Sequence, residues 1–298
     1  METIFAKIAQ ETTKFDLGDE ENPSETDDIP YWRGLYGPLY PKSLDSIGAV
    51  KDEQYGPAER NRLDVFFPRD GKTKGKPVVL FVHGANVGLS FARRGFVAVL
   101  ANYRLVPNVV YPGGADDIQL ARDWTFHNIA VPKYGQGSPD KIILLGQSSG
   151  RAHITVSLYA AGDPKRTPKA LIFPPVAGVI YLSVPFWFDR KKPVRQKDPE
   201  CLPVYSGSVK WEIKETADAT ATFFNAYRER SIPQGTLPTF HVQEKHNHIG
   251  NVFSIGTADS AQGDRLLEFM QSCVAKIDQR IQRTFFVISS LAQNVEHY

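Results

Sequence analysis

The chain has 298 residues, 42% hydrophobic and 23% charged, enough apolar surface for one large core. Its 35 basic and 33 acidic side chains are well mixed and leave a formal net charge of +2, which argues against nucleic acid or an anionic membrane as main partner. No apolar run approaches a membrane span, Met1-Glu2-Thr3-Ile4-Phe5 lacks the basic start of a leader, and Cys201 and Cys273 lie too far apart in sequence to suggest a disulfide framework; the expectation is a reduced, cytoplasmic protein with both thiols in its core.

In chain order, residues 12–28 are acidic and polar and read as a loose surface segment. Tyr31, Trp32, Tyr36 and Tyr40 follow with no clear periodicity, either as a cap over a pocket or packed on the core. This divides the chain into an N-terminal segment, residues 1–55, forming part of a cap, and a main domain, residues 56–298. Leu63-Asp64-Val65-Phe66-Phe67 alternates as an edge strand does, whereas residues 77–82 and 96–100 are continuously apolar strands. Residues 115–127 carry Ile118, Leu120, Ala121, Trp124 and Phe126 at helical spacing. A strand at 141–145, a helix at 151–161, a strand at 179–182 and the start of another at 202–205 come next. Helices over 214–228 and 264–281 then flank a strand at 237–243. The last helix would run on through Phe285-Phe286-Val287-Ile288, docking either on the domain or on a second copy in a homodimer. Strands alternating with helices predict an α/β fold, a mostly parallel central sheet with helices on both faces.

The strand at 141–145 ends in Gly146-Gln147-Ser148-Ser149-Gly150. A G-x-S-x-G turn between a buried strand and a helix forces the serine into strained backbone geometry and exposes its hydroxyl above the sheet. The alternative is a glycine-rich turn whose serine caps the helix. A serine hydroxyl needs a base within hydrogen-bond reach and a third group to orient that base. Of the histidines beyond Ser148, His153 sits in the helix after the turn, His241 in a predicted strand and His297 at the terminus. That leaves Lys245-His246-Asn247-His248-Ile249-Gly250, a loop after the last strand, with His248 preferred to His246 as base. Glu212, between a strand and a helix, is the orienting acid, with Glu215 and Asp218 as competitors. The oxyanion of the reaction needs two N–H donors, expected from Ser149 and from Gly84 and Ala85 after the strand at 77–82. The H-x-H pair has no further ligand cluster around it, so neither metal nor cofactor is expected.

These stretches, together with Tyr55-Gly56-Pro57, Asn102-Tyr103-Arg104-Leu105-Val106-Pro107 and Tyr111-Pro112-Gly113-Gly114-Ala115-Asp116-Asp117, resemble the α/β-hydrolase superfamily, esterase/lipase branch, which includes carboxylesterases and kynurenine-formamidase-like enzymes. The resemblance runs from about Tyr55 to Ile281. It implies Ser148 as nucleophile, His248 as base, Glu212 where aspartate is commoner, and Tyr103, Arg104, Asp116 and Asp117 as scaffold. It departs at the oxyanion loop, where relatives read H-G-G-G or H-G-G-x-W before a longer loop. Here His83-Gly84-Ala85-Asn86 passes almost at once into a helix-like stretch. The resemblance implies a serine hydrolase of carboxylic esters of small to medium lipophilic molecules, without cofactor. The alternatives are a formamidase or arylamidase using the same residues, and a non-hydrolytic ligand-binding or tailoring protein on the same scaffold.

Overall fold

A computed structural model describes residues 1–15, 29–71, 73–82, 87–159, 172–183, 202–212, 214–231 and 233–295. Two helices come first, α1 (Glu2–Phe15) and α2 (Ile29–Tyr36). Strands β1 (Ile47–Gln54), β2 (Arg62–Pro68) and β3 (Lys76–Val82) precede α3 (Val87–Arg93) and β4 (Val97–Ala101). Next are α4 (Gly113–Asn128), β5 (Gly137–Gln147), α5 (Ser149–Tyr159) and β6 (Gly178–Leu182). The chain continues through β7 (Val204–Trp211), α6 (Lys214–Arg230), β8 (Thr239–Asn247), α7 (Gly250–Phe253) and α8 (Ala261–Val295).

The strands form one eight-stranded sheet in the order β1-β2-β4-β3-β5-β6-β7-β8. Both pairings of β2 are antiparallel, and the rest of the sheet is parallel. A parallel sheet needs crossovers, and the crossover helices cover both of its faces. On one face Val78, Leu80 and Val82 of β3 pack with Ile118 of α4, Ile154 of α5 and Phe223 of α6. On the other, Val79 and Phe81 of the same strand pack with Phe91 of α3 and with Leu266, Met270 and Cys273 of α8. This burial on two sides is why β3 reads as an unbroken apolar run, each large side chain contributing roughly 1.5–3 kcal/mol.

Three sequence expectations change. Residues 63–67 are not an edge strand: β2 lies between β1 and β4, and β1 is the edge. Because β1 lies before Tyr55, the sheet begins inside the segment set apart as residues 1–55. The aromatic stretch does have a period, since Trp32 and Tyr36, four residues apart on α2, are fully buried with Ile4 and Ile8 of α1 and with Phe253 in a third, smaller cluster. Residues 16–28 lie outside the described residues.

Helix α8 does extend beyond residue 281, and Phe285, Phe286, Val287 and Ile288 on it are exposed. Cys273 is fully buried, which pushes its thiol up to about 11; Cys201 lies outside the described residues. Among the described residues no helix is long and apolar enough to cross a membrane.

Candidate active site

The C-terminal ends of the central strands meet at Val82, Gly146 and Tyr181, which adjoin one another in register. Here the chain turns from β5 into α5 within a single residue. Ser148 adopts φ 51°, the left-handed region that costs a non-glycine residue of order 1–3 kcal/mol. Its backbone N–H donates to the Leu182 carbonyl at 3.1 Å, tying the strained residue to β6. Both flanking glycines are there for space. A Cβ on Gly146 would stand 2.6 Å from Arg151 Cα, and one on Gly150 would collide with the Val82 carbonyl oxygen.

His248 follows β8 directly and Glu212 follows β7, so two neighbouring strands deliver the base and the acid. His248 Nδ1 lies 2.7 Å from Glu212 Oε1, and His248 Nε2 lies 3.0 Å from Ser148 Oγ. An ionised carboxylate only accepts, which places the imidazole proton on Nδ1 and leaves the Nε2 lone pair to accept from the serine hydroxyl. Glu212 is 2% exposed and His248 16%, so this hydrogen-bonded chain runs from a dry interior to a partly open surface. The Gln147 amide on the turn itself donates to the His248 carbonyl at 3.0 Å, locking the histidine loop to the serine turn.

The scaffold residues surround this turn. Asp117 is fully buried and accepts from the Arg104 backbone N–H at 2.8 Å and from its guanidinium at 2.8–3.0 Å. That pairing raises the Arg104 guanidinium further above its ordinary value. Tyr103 and Arg104 stand just past the end of β4, not within it. The Tyr103 hydroxyl pairs with Ser149 Oγ at 2.9 Å, and burial raises its pKa. His153, on α5, stacks edge-on to Tyr103 at 4.7 Å, and burial lowers its pKa.

Of the predicted site residues, Ser148, His248 and Glu212 come together, and Ser149 is the first residue of α5 beside them. Gly84 and Ala85 lie outside the described residues, as does the side chain of Glu215, while Asp218 lies on α6 and accepts from Thr222 through its carbonyl. His246 is not in a loop: it belongs to β8, is 2% exposed, and sets Nε2 2.7 Å from Asp259 Oδ2. Asp259 was not legible as its partner, because it sits 13 residues on with no spacing signal to mark it. Burial alone would raise the Asp259 carboxyl, but the hydrogen bond and charge of His246 prevail and hold it below its usual value. Helices α1 and α2 pack against Trp211 and Ile249, the neighbours of Glu212 and His248. Among the described residues no group of three or more His, Cys, Asp or Glu side chains could hold a metal ion.

The sheet order and the serine turn define an α/β-hydrolase fold, and comparison with known proteins agrees. No family model matches the chain. A probable isoprenylcysteine alpha-carbonyl methylesterase of Oryza sativa is 38% identical over 111 residues, 34% of this chain and 25% of that protein. Probable carboxylesterase 13 of Arabidopsis thaliana is 28% identical over 190 residues, 53% of this chain and 55% of that protein. The chain thus spans about a quarter of the methylesterase and half of the carboxylesterase. Among solved structures, esterase B from Lactobacillus rhamnosis superposes with a TM-score of 0.67 at 14% identity, covering 95% of this chain and 99% of its own. Vibralactone cyclase gives a TM-score of 0.60 at 18% identity, covering 85% and 88%. The fold is that of the α/β-hydrolases, and the sequence is similar to the esterase branch.

Proposed function

We propose that the protein is a carboxylic ester hydrolase acting through an acyl-enzyme at Ser148. The observation that carries this reading is the chain Ser148 Oγ–His248–Glu212, at 3.0 and 2.7 Å, on a turn with strained serine geometry. Ser148 Oγ attacks the ester carbonyl while His248 Nε2 takes the hydroxyl proton. Glu212 holds the Nδ1–H and stabilises the imidazolium that results. His248 then gives its proton to the departing alkoxide, which leaves as the alcohol. Water attacks the acyl-serine, His248 takes one proton from it, and that proton returns to Ser148 Oγ as the carboxylic acid leaves. The Ser149 N–H and a backbone N–H from Gly84 or Ala85 are the donors proposed for the oxyanion, each worth ~3 kcal/mol in the transition state.

A lipophilic acyl or alcohol group is supported by the apolar cluster of α1 and α2 beside Trp211 and Ile249, and by similarity to enzymes named for isoprenylcysteine methyl esters. On this reading α1 and α2 supply part of a cap. The test is a direct comparison of p-nitrophenyl acetate and p-nitrophenyl hexanoate with N-formylkynurenine. Faster turnover of both esters, with the longer one preferred in kcat/KM, is the expected result. Preference for the formamide would move the protein to the amidases. No turnover of any of the three, in a protein that still binds an apolar ester, would point to a non-hydrolytic role.

A further inference from the structure

Asn102, Tyr103 and Arg104 follow the end of β4, and distant partners take up their backbone groups one after another. The Asn102 N–H donates to the Arg62 carbonyl at 2.9 Å, and the Asn102 carbonyl accepts from the Tyr55 hydroxyl. The Tyr103 carbonyl accepts from Arg60 Nε at 2.8 Å, and the Arg104 N–H donates to the buried Asp117 carboxylate at 2.8 Å. These fixed backbone groups make a rigid mount for the Tyr103 side chain. Tyr103 is buried, and its ring lies edge-on to His153 with the centroids 4.7 Å apart. The phenol so held ends with its hydroxyl 2.9 Å from Ser149 Oγ. A phenylalanine would fill the same place with no polar group to desolvate, so packing alone does not call for the hydroxyl.

Ser149 is the residue at which this matters. It is the first residue of α5 and is exposed, and its N–H is one of those that a helix start leaves for acceptors outside the helix. It directly follows Ser148, whose left-handed φ of 51° persists only where the surroundings over-determine it. The tie of the Ser148 N–H to Leu182 comes from β6, and that of the Gln147 amide to His248 from beyond β8, both on one side of β5 in the sheet. The Tyr103 hydroxyl ties the turn from the other side, where β3 and β4 lie.

Resting on the proposed ester hydrolysis at Ser148, we propose that Tyr103 is a positioning residue for the oxyanion: through its hydrogen bond to Ser149 Oγ it holds the residue whose N–H meets the developing negative charge. Tyr103 itself touches neither substrate nor reacting atoms. Oxyanion donors work because they are aimed before the charge forms and need no reorganisation when it does. Ser149 stands at the junction of turn and helix, where a small backbone rotation changes the aim of its N–H. A hydrogen bond to a rigidly mounted phenol opposes that rotation. The charge it serves exists only in the tetrahedral state, so the effect falls on kcat and not on substrate binding. The phenol acts as a neutral group, since burial raises its pKa and it keeps its proton at neutral pH. The tyrosine that the resemblance implies as scaffold thus has a task at the site.

The experiment is a double-mutant cycle with Y103F and S149A on p-nitrophenyl acetate hydrolysis, each variant read beside its thermal unfolding. Each single variant is expected to lower kcat about tenfold with KM within about twofold, the pattern of an interaction made only in the transition state. In the S149A background Y103F should cost less than about twofold, because the atom it acts through is gone. An alkyl trifluoromethyl ketone gives a second reading. Ser148 Oγ bonds to its carbonyl carbon, the hydroxyl proton passes to His248, and the carbonyl oxygen becomes an oxyanion. The Ki of the ketone should rise in Y103F by the factor by which kcat/KM falls, to within about threefold. The pH dependence of kcat/KM should keep its shape, since the base is untouched. The proposal is overturned by wild-type kcat in either variant, by an undiminished loss in the S149A background, by a Ki that stays put while kcat falls, by a shifted pH profile, or by a fall in Tm that accounts for the lost activity. Failure of the underlying reading looks different: S148A would then hydrolyse the ester as fast as the wild type. If S148A is inactive while Y103F and S149A are fully active, only the role of Tyr103 falls.

Discussion

Two histidines stand two residues apart at the end of β8, and each meets a carboxylate at 2.7 Å. They have nearly the same partner and opposite prospects. His246 binds Asp259 through Nε2, its Nδ1 has no hydrogen-bond partner among the described residues, and it is closed in beneath Phe5 of α1, whose ring lies 5.4 Å away edge-on. His248 binds Glu212 through Nδ1 and turns Nε2 to a serine hydroxyl at a partly open surface. A histidine–acid pair therefore says little about chemistry. What decides is the group facing the other ring nitrogen, and whether a substrate can reach it.

The contrast can be broken in order of effect. S148A should lower kcat by about 10³–10⁶-fold with the fold intact, measured by ester turnover beside circular dichroism. E212Q, which keeps the shape but not the charge that orients His248, should cost about 10²–10⁴-fold, and a smaller loss would put the acid's role elsewhere. G150A should destabilise by several kcal/mol in denaturant unfolding, because a Cβ there meets the backbone carbonyl of Val82, which no rotamer change relieves. H246N, by contrast, should leave kcat within about threefold while lowering stability by about 1–3 kcal/mol, since it strips a partly buried carboxylate of its partner. A loss of activity in H246N like that in E212Q would erase the distinction between the two histidines.

The smallest effect is in pH. The Asp259 carboxyl is held below its ordinary value in the folded state, so its contribution is fully present above the unfolded value near ~3.9 and is lost as pH falls through the lower folded value. His153 behaves in the other sense, since burial lowers its pKa and the unfolded chain binds the proton more readily. Its contribution is present at neutral pH and is lost as pH falls below the unfolded value near ~6.5. Stability measured between pH 7 and 5 should therefore decline in the wild type and decline less in H153Q.

The chain announces some of this and hides the rest for physical reasons. Continuous apolar runs at β3, β4 and β5 announce a sheet covered on both faces, and glycines at 146 and 150 announce a close backbone approach. Both are local signals. The two histidines look alike in the sequence, and what separates them is that the strand runs on through Asn247 and takes His246 into the sheet. Helices α1 and α2 carry no clear signal in the sequence, because Ile4 and Ile8 form a short stripe beside a polar tract, and Trp32 and Tyr36 lie among exposed residues. Nothing in Arg151's neighbours along the chain marks it as buried. Its surroundings come from β6 and α6, far off in sequence, and only the folded chain assembles them.

On the proposed function, Ser148 is a nucleophile activated by His248. Labelling the native protein with a fluorophosphonate and mapping the modified peptide by mass tests it most directly. One adduct is expected, on Ser148, formed much more slowly in H248A and absent after unfolding. Native protein that stays unlabelled, or carries the adduct on another side chain, would contradict it.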